Sequence, residues 1–263
     1  MYLRIVCLLI LVMPLGTLRS AQAEPVSFIV TITNMAGVAQ NDDIDVTQTP
    51  VDSVEATPVA LEDDDTEMLA GKFSAMPLTA VIWLIHGDTM GSGPFFTPGE
   101  PDRGDGLEAL AEDGAVSKLA LFLENADYST WGVASIPDME ADAGPLIPSN
   151  FYTIFFDAVP GERLSFVTRF TEANDLFFAP DEQGIALFTD DGQPINETIT
   201  RYVYLWDAGT EVNEEPLIGE NQGPRQPEPN TGPDEDGTVR PVDDEYAYPP
   251  VAAQIRVSIE PNQ

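Results

Sequence analysis

Six segments of the chain alternate apolar and polar side chains with a period of two, and this patterning limits the fold more than any other feature of the sequence. They are Val26 to Thr33, Leu78 to Ile85, Phe151 to Phe156, Leu164 to Phe170, Thr200 to Trp206 and Val251 to Ile259. A period of two puts every second side chain on one face of an extended backbone, as a half-buried strand requires. Pro- and Gly-rich turns separate the segments. The pattern predicts an all-β chain folded as an antiparallel β-sandwich with long loops. Helical spacing is confined to Asp105–Glu112, where Leu107 and Leu110 share a face and Gly114 stops the run, and to a second turn near Ser117–Asn125. Both read as connections between strands. Two stretches lack a buried pattern. Gly37–Gly71 is rich in Asp, Glu, Thr and Pro and contains the run Glu62–Asp65, so it reads as a solvated, flexible insertion. Gly219–Tyr246 is Pro-, Gly- and Asp-rich and reads as a segment wrapped over the sandwich before its last strand. No internal repeat is visible.

The first residues read as an export signal. Arg4 is followed by the apolar run Ile5–Met13, then Pro14, and Ala21-Gln22-Ala23 places small residues at the −3 and −1 positions of a cleavage site before Glu24. The run is shorter than the roughly 20 apolar residues that cross a bilayer. Residues 1–23 are therefore expected to be a signal peptide cleaved after Ala23, with 24–263 as one domain and a secreted or periplasmic destination. The only cysteine, Cys7, lies inside that signal, so the mature chain would hold no disulfide. The full chain has a formal net charge of −34, and cleavage would remove Arg4 and Arg19 but no acid. A surface of this sign repels phosphates and anionic headgroups, which excludes nucleic acid as a partner. It attracts cations and suits saline surroundings, as does the scarcity of lysine, present only at Lys72 and Lys118.

Catalytic motifs are sparse. His86 is the only histidine, which rules out zinc motifs built on paired imidazoles. A Ser-His-Asp arrangement would have to use this one residue at the end of an apolar strand, where a histidine capping the sheet is the plainer reading. No Gly-rich loop opens a helix to receive phosphate. Paired carboxylates are plentiful, but in so acidic a chain most are solvated surface. Two places stand out. In Trp206-Asp207-Ala208-Gly209-Thr210-Glu211, a strand ends at an aromatic residue and a Gly-containing turn brings two carboxylates back toward one point. In Asn174-Asp175-Leu176-Phe177-Phe178, an acid heads the loop after the strand ending near Phe170. Calcium takes six to eight oxygen ligands in flexible geometry, and loops at one end of a sandwich can supply them. An Asp-Gly turn capped by its own side chain is the other reading of the same residues.

At these residues the chain resembles a known family. Trp206 to Glu211 is similar to the Trp-Asp-Ala-Gly-Thr-Asp signature of the spondin domain, the module found in F-spondin and related matrix proteins. Asn174 to Phe178 is similar to the family's Pro-Asp-Trp-Phe stretch, with Leu176 where tryptophan is usual. Phe96–Gly99, Gly106–Gly114, Ala143–Leu146, Gly223–Gln226 and Pro229–Gly232 also match, and together they look like the bacterial branch of the family. The resemblance implies a C2-like β-sandwich, a calcium ion held by three acidic side chains, and a role in extracellular adhesion or in binding to a matrix or surface. Carried over by position, the ligands would be Asp175, Asp207 and Glu211. The last departs from the animal pattern, which has aspartate there; glutamate keeps the charge and can bind calcium in bidentate fashion. Cysteines used by the eukaryotic members have no counterpart here.

The expected function is thus a secreted, calcium-binding, non-enzymatic module with an extracellular or cell-surface ligand. A secreted metal-dependent hydrolase and a purely structural acidic surface protein are the alternatives.

Overall fold

The computed structural model describes residues 23–38, 68–69, 71–89, 92–126 and 128–262. The proposed signal peptide, apart from Ala23, and most of the acidic insertion lie outside these residues. Two antiparallel sheets form the body of the protein. The smaller has the order β4-β1-β11-β8, built from β4 (Phe151–Ala158), β1 (Val26–Asn34), β11 (Ile255–Pro261) and β8 (Glu197–Thr198). The larger has the order β10-β9-β6-β5-β2-β3, formed by β10 (Arg240–Pro241), β9 (Tyr204–Asp207), β6 (Leu176–Ala179), β5 (Arg163–Arg169), β2 (Val81–His86) and β3 (Trp131–Ala134). The short β7 (Ile185–Ala186) also pairs with β5.

The alternation read from the sequence holds where one face of a strand meets solvent. In β1, Phe28, Val30 and Ile32 are fully buried and pack against Ile154 and Phe156 of β4, Ile255, Val257 and Ile259 of β11, and Leu164, Phe166 and Phe178 of the opposing sheet. Phe28 stacks on Phe156 with ring centroids 5.7 Å apart and meets Phe188 edge-on at 5.4 Å. These inward faces close the sandwich, because the apolar area they remove from water is the main favourable contribution to folding.

The larger sheet is buried on both faces, which the sequence pattern did not foretell. Its outer face carries Ile82, Leu84, Val167, Phe177 and Trp206, and these pack under Leu107, Leu110, Leu119 and Leu123 of two helices, α1 (Leu107–Asp113) and α2 (Ser117–Asn125), together with Phe95 and Phe96. Phe96 lies 4.8 Å from the Trp206 ring and 5.4 Å from Phe177. The helices are therefore a third layer as well as connections. All four residues of β6 are buried. Without a solvated face β6 shows no alternation, so Leu176–Phe178 read as a loop although they form a central strand. Three predicted strands also begin later than expected: Leu78 makes only isolated bridges and β2 begins at Val81, while Thr200–Tyr202 and Val251–Ala253 are 3₁₀ turns and their strands begin at Tyr204 and Ile255. Most of Gly219–Tyr246 runs over the surface with only β10 joining a sheet, as expected.

Candidate functional site

Antiparallel pairing of β6 with β9 sets Leu176 opposite Asp207, so the head of β6 lies beside the end of β9. Asp175, one residue before β6, accepts the Ala208 N–H on its backbone carbonyl at 3.2 Å. The two acids that the sequence separates by more than thirty positions are thereby brought to one turn. The turn itself needs Gly209. Its φ is +69°, and a Cβ there would come within 2.6 Å of the Thr238 nitrogen.

Asp175 organises the turn. Its Oδ2 accepts the Thr210 N–H at 2.8 Å, the Glu211 N–H at 3.1 Å and the Thr210 hydroxyl at 3.2 Å. Asp207 caps the turn by accepting the Gly209 N–H on Oδ1 at 2.7 Å, while Oδ2 receives Asn213 Nδ2 at 2.8 Å and the Arg240 guanidinium at 2.9 Å. Glu211 lies against Gly232, where a Cβ would fall on Glu211 Oε1. Asn174 and Glu214 hold the adjoining loops together. Asn174 Oδ1 accepts the Glu214 N–H at 3.0 Å, and Glu214 Oε2 takes Asn174 Nδ2 at 3.3 Å and the Asn221 N–H at 2.8 Å.

A fourth carboxylate belongs to the same place. Glu112, in the last turn of α1, accepts the Thr210 hydroxyl on Oε1 at 2.8 Å. Glu112, Asp175, Asp207 and Glu211 are 3%, 0%, 1% and 4% exposed. Burial raises the pKa of all four, and repulsion from neighbouring carboxylates adds to it. Asp207 is pushed up to about 7 by burial and then by the charge of Asp175, against the opposing pull of Arg240. Glu211 rises to about 7 through burial, then Glu112, with Asp175 and Glu214 adding to it. Glu112 also reaches about 7, mainly through burial, although its Thr210 hydrogen bond opposes the shift. Burial raises Asp175 despite its three donors. The Thr210 hydroxyl lies within reach of both Glu112 and Asp175 but has one proton, so it can donate to only one of them at a time.

The cations nearby are arginines. Arg169 at the end of β5 is buried, and burial lowers its pKa to about 10 against the charges of Asp113, Glu211, Glu112 and Glu172. Its Nη2 reaches the carbonyls of Ala173 and Asn174, both at 3.4 Å, and so ties down the loop that presents Asp175.

The three predicted residues are thus gathered at one turn, each almost fully buried. Among the described residues, no group of three or more His, Cys, Asp or Glu, these three included, is arranged so that it could hold a metal ion. The donor chemistry nevertheless fits a hard cation. Asp175 Oδ1 and Glu211 Oε2 are buried and have no hydrogen-bond partner among the described residues, and every polar atom offered at the turn by these side chains is oxygen. Above the turn a cleft of ≈ 540 Å³ is lined by Asp102, Glu108, Thr210, Asp234, Glu235 and Asp236. Its walls favour cations over anions.

Glu112 was missed because its position in the helix resembles any acid next to an apolar stripe; only the Gly106–Gly114 match pointed toward that segment. Asn213 and Arg169 carry no sequence signal of their own. His86, weighed as part of a triad, pairs with Ser165 Oγ through Nε2 at 2.8 Å and with the Gly87 carbonyl through Nδ1 at 2.6 Å. The backbone carbonyl stands where a triad carboxylate would. His86 and Ser165 are buried within β2 and β5, and burial lowers the histidine's pKa.

No family model matches the chain, and no curated protein matches it either.

Proposed function

We propose that the protein is an exported, non-enzymatic module of the spondin type whose site around Asp175, Asp207 and Glu211 binds a divalent cation of the calcium class. In this reading the loops at that end of the sandwich contact an extracellular, matrix or cell-surface ligand. The observation that carries the proposal is the pair of buried carboxylate oxygens, Asp175 Oδ1 and Glu211 Oε2, that have no partner among the described residues, on a turn whose sequence resembles the spondin signature apart from Glu211. A buried acceptor with no donor costs about 1–3 kcal/mol and more when charged, so a turn carrying two is better suited to a ligand than to an empty interior. A bound cation would add positive charge beside Asp175 and Glu211, beyond what Arg240 gives to Asp207 and Arg169 to Glu211 and Glu112. Asp175 meanwhile keeps the turn in shape through Thr210 and Glu211, and the acidic cleft raises the local concentration of cations.

A calcium titration read by thermal melting tests this. The wild-type protein is expected to melt higher as calcium is added, by about 2.7 kcal/mol of added stability at a hundred times the dissociation constant, and Asp207→Ala is expected to lose that response. No rise in the wild type, or an equal rise in the variant, contradicts the assignment.

A further inference from the structure

At the end of β6 and β9 that lies away from the acid turn, residues of both sheets line a cavity of ≈ 360 Å³. The end of β6 and the start of β9 meet there because Ala179 pairs with Tyr204, and the start of β5 joins them with Arg163 paired to Ala186 of β7. Ile185 and Phe188 give the cavity apolar surface, Tyr202 and Tyr204 give it aromatic rings, and Asp181, Arg163 and Glu197 of β8 give it charge. Small-ligand sites of about 300–1,000 Å³ combine these features, with the polar groups held in place before the ligand arrives. The polar groups are held here. Arg163 donates from Nε to the Gln183 carbonyl at 2.7 Å and from Nη2 to the Gly184 carbonyl at 2.8 Å, and Asp181 Oδ1 accepts the Gln183 N–H at 3.0 Å. Arg201 Nη2 donates to Glu197 Oε1 at 2.8 Å and to the Tyr202 hydroxyl at 3.1 Å, with its guanidinium 4.5 Å from the centre of the Tyr202 ring. Burial and then the charge of Asp181 raise the pKa of Tyr204, so that carboxylate stands near this phenol.

The lining selects by charge. An anion would meet Asp181 and Glu197, while the Arg163 guanidinium is turned to backbone carbonyls. A cation would meet Arg163 and compete with Arg201 for both Glu197 and Tyr202. A wholly apolar ligand would strip water from two carboxylates and return no hydrogen bond. A neutral ring with hydroxyls on its rim and C–H bonds on its faces escapes all three penalties. Its hydroxyls donate to the carboxylates in charge-assisted hydrogen bonds, and its faces cover the aromatic and aliphatic surface. We infer that this cavity binds a neutral saccharide, with the sugar ring against Tyr204 and its hydroxyls donated to Asp181 and Glu197. Free sugars and the terminal residues of glycans share this chemistry. The inference does not rest on the cation reading, because the cavity and the acid turn stand at opposite ends of β6.

Saturation-transfer NMR titrations test it, with the methyl glycosides of glucose, galactose, mannose and N-acetylglucosamine, with trisaccharides ending in the same sugars, and with glucosamine and glucuronate as charged forms of the same ring. The wild-type protein is expected to transfer magnetisation to a neutral sugar and to bind both charged rings more weakly. Binding of the methyl glycoside alone supports a free sugar as the ligand, and trisaccharide binding of equal or greater strength supports a glycan end. Tyr204→Leu and Asp181→Asn are each expected to lower the affinity roughly fivefold or more, with thermal melting to check that the variants are folded. No transfer to any neutral sugar, tighter binding of a charged ring, or wild-type affinity in both variants overturns the inference. If Tyr204→Leu does not fold, Asp181→Asn decides, since it keeps an acceptor for the Gln183 N–H: a fall in affinity supports the site and an unchanged affinity overturns it. The titrations are repeated in EDTA, where binding is expected to be unchanged. A sugar bound only in the presence of calcium would belong to the acid turn and would overturn the assignment, whereas loss of the calcium response with sugar binding intact would contradict the cation reading alone.

Discussion

Taking a carboxylate out of water costs free energy that hydrogen bonds or positive charge must return. Asp175 recovers part of it through the two amides and the hydroxyl that converge on Oδ2, but no group among the described residues returns it on Oδ1. The pH dependence of stability follows. An acid whose folded pKa lies above its unfolded value favours folding most when protonated, so its contribution is complete below about 4 and disappears as pH rises through the folded value. Asp207, Glu211 and Glu112 all reach about 7. In EDTA, the melting temperature is expected to fall as pH is raised from 5 to 8, and saturating calcium is expected to flatten or reverse that slope. A metal-free melting temperature that climbs over this range would count against the crowded-carboxylate description. Asp175→Asn keeps an acceptor for the three donors and removes one charge. It is expected to melt higher than the wild type in EDTA, by about 2–4 °C for each kcal/mol of repulsion relieved, and to show no calcium response.

At the level of elements, the turn after β9 holds the site together, and Gly209 is its most exacting position. Gly209→Ala adds a Cβ 2.6 Å from the Thr238 nitrogen on a backbone with φ of +69°. Chemical denaturation is expected to register a loss of about 1–3 kcal/mol, together with weakened calcium binding; a neutral substitution would show that the turn is looser than described. How well each element could be read from the sequence follows from its surroundings. β1, β4 and β11 keep one face toward solvent, so their alternation was visible and their inward residues were identifiable. β6 has no solvated face, and the helices that cover it were too short to be read as a layer. Asp175, Asp207 and Glu211 could be picked out because each heads or closes a turn and because their segments resemble a family signature, from which Glu211 departs. Glu112 and Asn213 could not, since each joins the site only when α1 or the chain beyond the turn folds against β6 and β9, and nothing in their local sequence sets them apart from the many other acids and amides.

For the molecule as a whole, the sequence carries a formal charge of −34, and the described residues are held by two apolar clusters, one between the sheets and one beneath the helices. Self-repulsion of that size opposes the compact state and is screened by salt over a Debye length of about 10 Å at 0.1 M. The metal-free protein is therefore expected to melt at progressively higher temperature from low to molar sodium chloride; a melting temperature indifferent to salt would mean that the surface acids are too far apart to matter. The acids thus fall into two groups. Among the described residues most are at least partly exposed, while four, Glu112, Asp175, Asp207 and Glu211, are buried at one end of the sandwich, where the proposed cation site lies. The most direct test of that division is a crystal structure grown with calcium. The expected result is one strong peak at the turn after β9, with Asp175 Oδ1 and Glu211 Oε2 about 2.3–2.6 Å away. A site in which those two oxygens meet only protein donors or water, with calcium bound elsewhere or not at all, would contradict the account.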